Sequence, residues 1–236
     1  MALPKIDKPL FDLKIPSMDK TVKCRPFVVK EEKILLIAQQ SGQERDIVLA
    51  IKQVLNNCIQ DPTVDVEDLT TFDIEYMFLK LRARSVNNII EVSYRDNEDD
   101  KVYSFSIDLD TVEMLQEREL NNKIEVSENI GIIMKMPSAS IVNTIPENLD
   151  ATEVVYHLIR KCIDQIYDEK DVYLASETTE EELTEFLDNL DVETFGKIRE
   201  YFANLPTLYH KIEYKNTLGN DRVIELTTLN DFFTWG

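Results

Sequence analysis

The sequence predicts an α+β protein made of two related helix-plus-β-hairpin halves with an extended N-terminal arm. The first hairpin is indicated by alternating apolar and polar residues over 90–94 and 101–109. The second is indicated over 211–214 and 222–226, where Gly and Asn in the intervening segment suit a chain reversal. Segments rich in helix-forming residues precede both hairpins. The same helix-plus-hairpin unit is therefore expected twice.

The expected domain organisation follows from the prolines. Residues 1–20 contain three prolines and few helix signals, which favours an extended arm. The segment 137–146 has a proline at each end and small polar residues between them. We therefore predict an N-terminal α+β half over residues 21–138 and a C-terminal α+β half over residues 147–236.

Helical periodicity predicts most of the individual elements. In the N-terminal half the expected elements are a strand over 22–29, helices over 30–40, 44–58 and 71–85, and later strands over 123–126 and 131–137. In the C-terminal half, the capping box Asp150–Glu153 precedes an apolar helical stripe that extends to Ile166. A second cap at residues 178–181 precedes two more amphipathic helices, which are separated near residues 189–191.

Composition limits the classes of function. With 236 residues, 43% of them hydrophobic, the chain can bury a core. Its 45 acidic and 26 basic residues give a net charge of -19, which disfavours direct binding to nucleic acid or to an anionic membrane. No apolar run approaches the roughly 20 residues that a membrane span needs. No secretory signal is visible at the N-terminus, so we expect the protein to begin in a cytosol.

The sequence offers little material for catalysis or metal binding. We expect His157 to be exposed and without a partner, since it lies opposite the apolar stripe of its helix, and His210 is interpreted in the same way. The acidic segment 96–100 lacks the ligand spacing of a calcium loop and is expected to be a solvated turn. Three cysteines are expected to be core thiols: Cys24, Cys58 and Cys162. No catalytic residue, cofactor or metal is therefore predicted.

Two groups of residues are candidates for binding a partner protein. Arg82 and Arg84 lie at the basic end of the third helix, where cations also favour the helix dipole. Phe232, Phe233 and Trp235 crowd the C-terminus and must pack on this chain or on another one. The proline-containing arm is a third candidate surface.

The run VKCRPFVVKEEKILL, which begins at Val22, resembles the baseplate hub subunits of T-even-like contractile-tailed bacteriophages. The segment 73–85 and the closing LNDFF at 229–233 are similar to that family in order and spacing. The resemblance implies a non-enzymatic protein needed to build the baseplate hub, working in the host cytoplasm and in the virion tail baseplate if retained. Some family members carry cysteine pairs in the hairpins, which suggests a metal clip. Neither hairpin here contains cysteine, so no zinc is expected.

The leading hypothesis is a late, acidic virion structural protein that binds other hub or tail proteins during assembly, with self-association left open. One alternative is a transient chaperone for hub or tape-measure protein that is absent from the mature virion. A second is an acidic inhibitor that mimics nucleic acid, which needs its charges on one continuous face. An enzyme is disfavoured because no nucleophile, base and orienting group can be nominated together.

Overall fold

The computed structural model of the chain describes residues 7–116, 118–146 and 149–232. Helices and small antiparallel sheets are both present, which confirms the α+β class. The helices are α1 (Val29–Ser41), α2 (Glu44–Cys58), α3 (Thr71–Ser85), α4 (Ala151–Cys162), α5 (Glu180–Asp188), α6 (Val192–Ala203) and α7 (Leu229–Phe232). The strands are β1 (Phe11–Ile15), β2 (Lys20–Cys24), β3 (Ile89–Arg95), β4 (Val102–Asp108), β5 (Glu113–Leu115), β6 (Lys123–Glu125), β7 (Gly131–Met134), β8 (Ile163–Tyr167), β9 (Val172–Leu174), β10 (Thr207–Lys215) and β11 (Asp221–Leu226).

The chain forms two compact units that do not follow the predicted boundaries. Unit 1 consists of Met1–Leu115 with Thr207–Gly236, and unit 2 is Gln116–Pro206. The second hairpin joins unit 1 because β10 pairs with β5 as well as with β11, so that Thr207 lies opposite Leu115. Strand pairing between distant parts of the sequence thus sets the division, and prolines near residue 140 do not mark it.

In unit 1, the segment predicted as an arm enters a β-hairpin at Phe11, whereas residues 7–10 are exposed and have no regular secondary structure. Strand β1 pairs with β2 in antiparallel register, with Leu13 opposite Val22. Alternate residues of β1 face inward, and the side chains of Leu13 and Ile15 are almost fully buried. Pro16 begins a short 3-10 turn that reverses the chain. The predicted arm over residues 1–20 is therefore wrong from Phe11 onward, and its residues 1–6 lie outside the described residues.

Helix α3 lies in the core of unit 1, as its broad apolar coverage predicts. Thr70 caps its N-terminus: the Thr70 hydroxyl accepts a hydrogen bond from the Asp73 backbone N–H, and the Asp73 carboxylate accepts one from the Thr70 backbone N–H. Seven apolar side chains of this helix are buried: Phe72, Ile74, Met77, Phe78, Leu79, Leu81 and Ala83. The helix therefore packs on several sides at once.

Unit 2 combines a four-stranded antiparallel sheet, in the order β6-β7-β8-β9, with α4, α5 and α6. The predicted helical stripe to Ile166 is wrong beyond Cys162, where Ile163 adopts an extended backbone and β8 begins. Strand β8 pairs with β7 on one side and β9 on the other. A short apolar run fits both the 3.6-residue repeat of a helix and the two-residue repeat of a strand. Here pairing with β7 and β9 makes the segment a strand. The core residues include Ile132, Met134, Ile159, Cys162, Ile163, Leu187 and Ile198.

Candidate functional site

An apolar groove of about 470 Å³ lies in unit 1 between α1, the C-terminal part of α3 and the start of β3. Helix α1 contributes four residues spaced i, i+3, i+4 and i+7, so they share one helical face. Helix α3 contributes Phe78 and Arg82, and Val86 follows at its end. The residues from α1 are Glu32, Leu35, Leu36 and Gln39.

The groove has a buried aromatic floor and an exposed apolar rim. Phe78 and Phe232 are each 1% exposed and line the groove. At the rim, Leu36, Val86 and Ile89 are 51%, 58% and 41% exposed. Large apolar side chains that are gathered at one concavity and open to water are typical of a binding surface.

Charged groups in the groove are few. The pKa of the half-buried Arg82 guanidinium is lowered by burial, and the nearby Glu32 carboxylate opposes this shift. Glu32 and Glu91 are exposed at the edge of the groove. Among the described residues that line the groove, the titratable side chains are Glu32, Arg82 and Glu91. The arrangement can bind an apolar surface.

The structure brings together two of the candidate partner-binding residues. Arg82 and Phe232 line the same groove, although they are distant in sequence. Arg84 is exposed and forms an ion pair with Asp110, with 3.4 Å between Nη2 and Oδ1. Phe233 and Trp235 lie outside the described residues. Phe232 contributes its buried side chain to the floor of the groove.

Lys80, next to these arginines, has a structural role. Its Nζ donates hydrogen bonds to the backbone carbonyls of Leu109, Asp110 and Val112 at 2.8, 2.9 and 2.8 Å. Burial lowers the pKa of Lys80, and the carboxylates of Asp110 and Asp108 oppose that shift. Lys80 thus holds the 3-10 turn that connects β4 to β5.

Sequence reasoning missed the part of the groove that α1 forms. The sequence predicts a helix over 30–40 but assigns no binding role to its apolar run from Ile34 to Ala38. Consecutive apolar residues cannot all face one core, because a helix turns by about 100° at each residue. Ala38 is buried, whereas Leu36 and Ile37 are exposed. Because the apolar residues of α1 are consecutive, they cover more of the helix surface than one buried face needs. This excess indicates a second apolar face that is exposed.

The turn between β3 and β4 is solvated at Asn97, Glu98 and Asp100, as its acidic sequence predicts, but not at Asp96. Asp96 is fully buried and accepts hydrogen bonds from the Tyr214 hydroxyl and the Glu98 backbone N–H. Arg222 lies 3.2 Å from Asp96 (Nε to Oδ2) and 2.8 Å from Glu98 (Nη1 to Oε1). The turn therefore packs against the β10–β11 hairpin of the same unit. Further donors to Glu98 are Asn216 and Asn220.

These contacts keep the carboxylates ionised. The hydrogen bond from Tyr214 is the main cause that lowers the pKa of Asp96. Hydrogen bonds from Asn220 and Asn216 lower the pKa of Glu98. Each carboxylate is thus satisfied within the protein. No group of three or more His, Cys, Asp or Glu residues that could hold a metal ion occurs in the part of the chain that the structure describes.

The prediction that His157 is exposed and without a partner is wrong. His157 is 5% exposed, and its Nε2 lies 2.9 Å from the Thr144 hydroxyl. The face of α4 opposite the apolar stripe is therefore covered by the segment that contains Thr144. Burial lowers the pKa of His157, with the positive charges of Lys161 and Arg160 acting in the same direction. Burial also lowers the pKa of the half-buried His210.

The three cysteines are core thiols, as predicted. Each side chain is fully buried and none forms a disulfide. Burial raises the pKa of Cys24 to about 12, of Cys58 to about 11 and of Cys162 to about 12. Thiolates, the reactive form, are therefore scarce at neutral pH.

Comparison with known proteins identifies the family. The model of the family described as T4 bacteriophage base plate protein matches residues 8–234. The chain belongs to this family. A search of curated proteins and a search of solved structures each returned no significant match. Family membership confirms the resemblance to T4-like baseplate proteins and indicates a structural role in the virion tail. In the described residues, no helix is long and apolar enough to cross a membrane.

Proposed function

We propose that this protein is a non-enzymatic baseplate hub subunit that takes part in hub and tail assembly by binding other phage tail proteins. The match of nearly the whole chain to the baseplate family is the observation that carries this proposal. The run at residues 22–36 supports the hub as its place within the baseplate, because that run resembles hub subunits most specifically. Assembly takes place in the host cytoplasm in this proposal.

The groove of unit 1 supports a role in binding. It presents apolar side chains to water at one concavity. The net charge of -19 supports protein partners over nucleic acid, since a phosphate backbone would be repelled. Arg84 and the residues Phe233 and Trp235 remain proposed partner contacts beside the groove residues Arg82 and Phe232.

Quantitative mass spectrometry of purified phage particles and of partially assembled tails tests this function. The amount of this chain is measured relative to a known baseplate component in both samples. A fixed whole-number ratio in mature particles is the expected result for a hub subunit. Presence in intermediates alone would instead establish a transient assembly chaperone. Absence from both samples would refute the assignment to tail assembly.

A further inference from the structure

Each of the two helical walls of the groove in unit 1 contributes a row of side chains. On α1, residues 32, 35, 36 and 39 follow the i, i+3, i+4, i+7 spacing. On α3 and its end, residues 78, 82 and 86 follow i, i+4, i+8. Rows of this spacing are the ridges between which the side chains of another helix pack. The spacing of the groove's side chains is therefore suited to packing against another helix.

The surface composition of the groove specifies which face of such a helix would enter. The floor is aromatic, and the rim residues Leu36, Val86 and Ile89 are each at least two-fifths exposed. Apolar side chains repeated at i, i+3 or i+4, and i+7 would cover both floor and rim. A volume of about 470 Å³ lies within the range of about 300–1,000 Å³ that is typical of binding pockets.

The charges at the edge of the groove indicate what lies beside that apolar face. Glu32 and Glu91 are exposed at the edge, and the protein as a whole carries a net charge of -19. The cation that lines the groove, Arg82, is within electrostatic reach of Glu32. A partner with lysine or arginine flanking its apolar stripe would meet opposite charges, which favours encounter and orientation.

We propose that this groove receives an amphipathic helix of another baseplate protein, with apolar anchors in the groove and basic residues beside Glu32 and Glu91. The identity of the partner as a baseplate protein rests on the proposed function. The helix binds through its apolar face, and the basic flank sets its direction along the groove.

Photo-crosslinking during phage assembly tests the occupant. A benzoylphenylalanine is placed at Leu36, which lines the groove, and in a matched control at Ile37, which is 69% exposed on the same helix and does not line it. After irradiation, mass spectrometry identifies the crosslinked segment. We expect position 36 to crosslink to an apolar and basic helical segment of another baseplate protein at least tenfold more often than position 37.

Other crosslinks would overturn the proposal. Crosslinks from position 36 to residues 233–236 of the same chain would show that the groove binds its own C-terminus. Crosslinks to a second copy would show self-association, and equal yields at positions 36 and 37 would show that the groove is not a binding site. These outcomes are separate from the proposed function, because the chain would still be present in tails or intermediates by mass spectrometry.

Binding of a synthetic peptide with the crosslinked sequence gives a second measurement. The Leu36→Asp variant of the full chain is expected to bind it at least tenfold more weakly than the unmodified protein, because the apolar contact of Leu36 is lost and the new carboxylate must also be desolvated in the groove. The Ile37→Asp variant is expected to bind within about twofold. Circular dichroism checks that both variants fold. Equal affinity of the Leu36→Asp and unmodified proteins would overturn the proposal.

Discussion

Asp73 links the β1–β2 hairpin to the N-terminus of α3, and its removal is a sharp test of how unit 1 is held together. Its carboxylate is fully buried and accepts four hydrogen bonds. Two come from Ser17, from the backbone N–H at 2.9 Å and the hydroxyl at 2.6 Å. Two come from Thr70, from the backbone N–H at 3.1 Å and the hydroxyl at 2.6 Å. One side chain therefore caps a helix and anchors a hairpin.

The Asp73→Asn variant preserves size but changes the hydrogen bonds. In its better orientation the amide oxygen replaces Oδ2 and keeps three bonds, while the NH2 group faces the Ser17 N–H. A buried donor left without an acceptor costs about 1–3 kcal/mol. The three retained bonds also lose their charge assistance, which weakens each of them. We expect the free energy of unfolding to fall by about 2–4 kcal/mol, or roughly 5–15 °C in Tm.

The assay is urea unfolding of the full chain, followed by far-ultraviolet circular dichroism. Asp68→Asn is the matched control, since Asp68 is an exposed acid just before the same helix. Its unfolding midpoint is expected to stay close to that of the unmodified protein. If Asp73→Asn and Asp68→Asn unfold at the same urea concentration, the reasoning is refuted.

A double-mutant cycle with Ser17→Ala isolates the link to the hairpin. Removing the Ser17 hydroxyl and the Asp73 charge together should cost less than the sum of the two single changes, with a coupling of about 1 kcal/mol. Strictly additive effects would show that the Ser17 hydroxyl and the Asp73 carboxylate are not energetically coupled.

Three further predictions concern titratable groups. Burial alone would raise the pKa of Glu31, but hydrogen bonds from Arg25 and the Val28 N–H lower it to about 2. Its contribution to stability is therefore full above about pH 4.5 and is lost as the pH falls toward 2. In the Glu31→Gln variant, the urea midpoint should depend less on pH over this range. The same pH dependence in the variant and the unmodified protein would contradict the lowered pKa of Glu31. Because burial lowers the pKa of His157, its contribution is present above its ordinary value of 6.5 and is lost as the pH falls below it. His157→Gln should reduce the loss of stability between pH 7.5 and 5.5, and an equal loss in both proteins would count against a buried neutral imidazole. The three buried thiols should resist a disulfide reagent at pH 8 in the native protein and all react in urea, whereas rapid native reaction would show an exposed cysteine.

Elements with local signals could be predicted from the sequence. Helices α2 and α3 have the predicted bounds, and both predicted hairpins are present. The cap before α5 uses Thr179 and Glu182, one residue later than expected. These elements carry their own caps, periodicity or turn residues, so they do not depend on distant parts of the chain.

Features that depend on distant contacts could not be predicted. Strand β8 continues an apolar helical stripe, and only its pairing with β7 and β9 makes it extended. The burial of Asp96 depends on Tyr214 and Arg222, which follow it by more than a hundred residues. For the groove, Arg82 and Phe232 were candidates because of charge and aromatic crowding. That both residues line one groove with α1 depends on the tertiary fold and could not be predicted from the sequence.

The pairing of β5 with β10 has a consequence for synthesis of the chain. Unit 2 is encoded as a continuous insertion between Leu115 and Thr207, the two residues that lie opposite each other in unit 1. A ribosome adds about 5–20 residues per second, so roughly 5–20 s separate the appearance of β5 from that of β10. During this interval unit 2 can complete its own sheet, whereas unit 1 still lacks β10, β11 and the partners of Asp96. The first unit to begin emerging is thus the last to finish folding, and nascent unit 1 exposes an unpaired strand edge for that time.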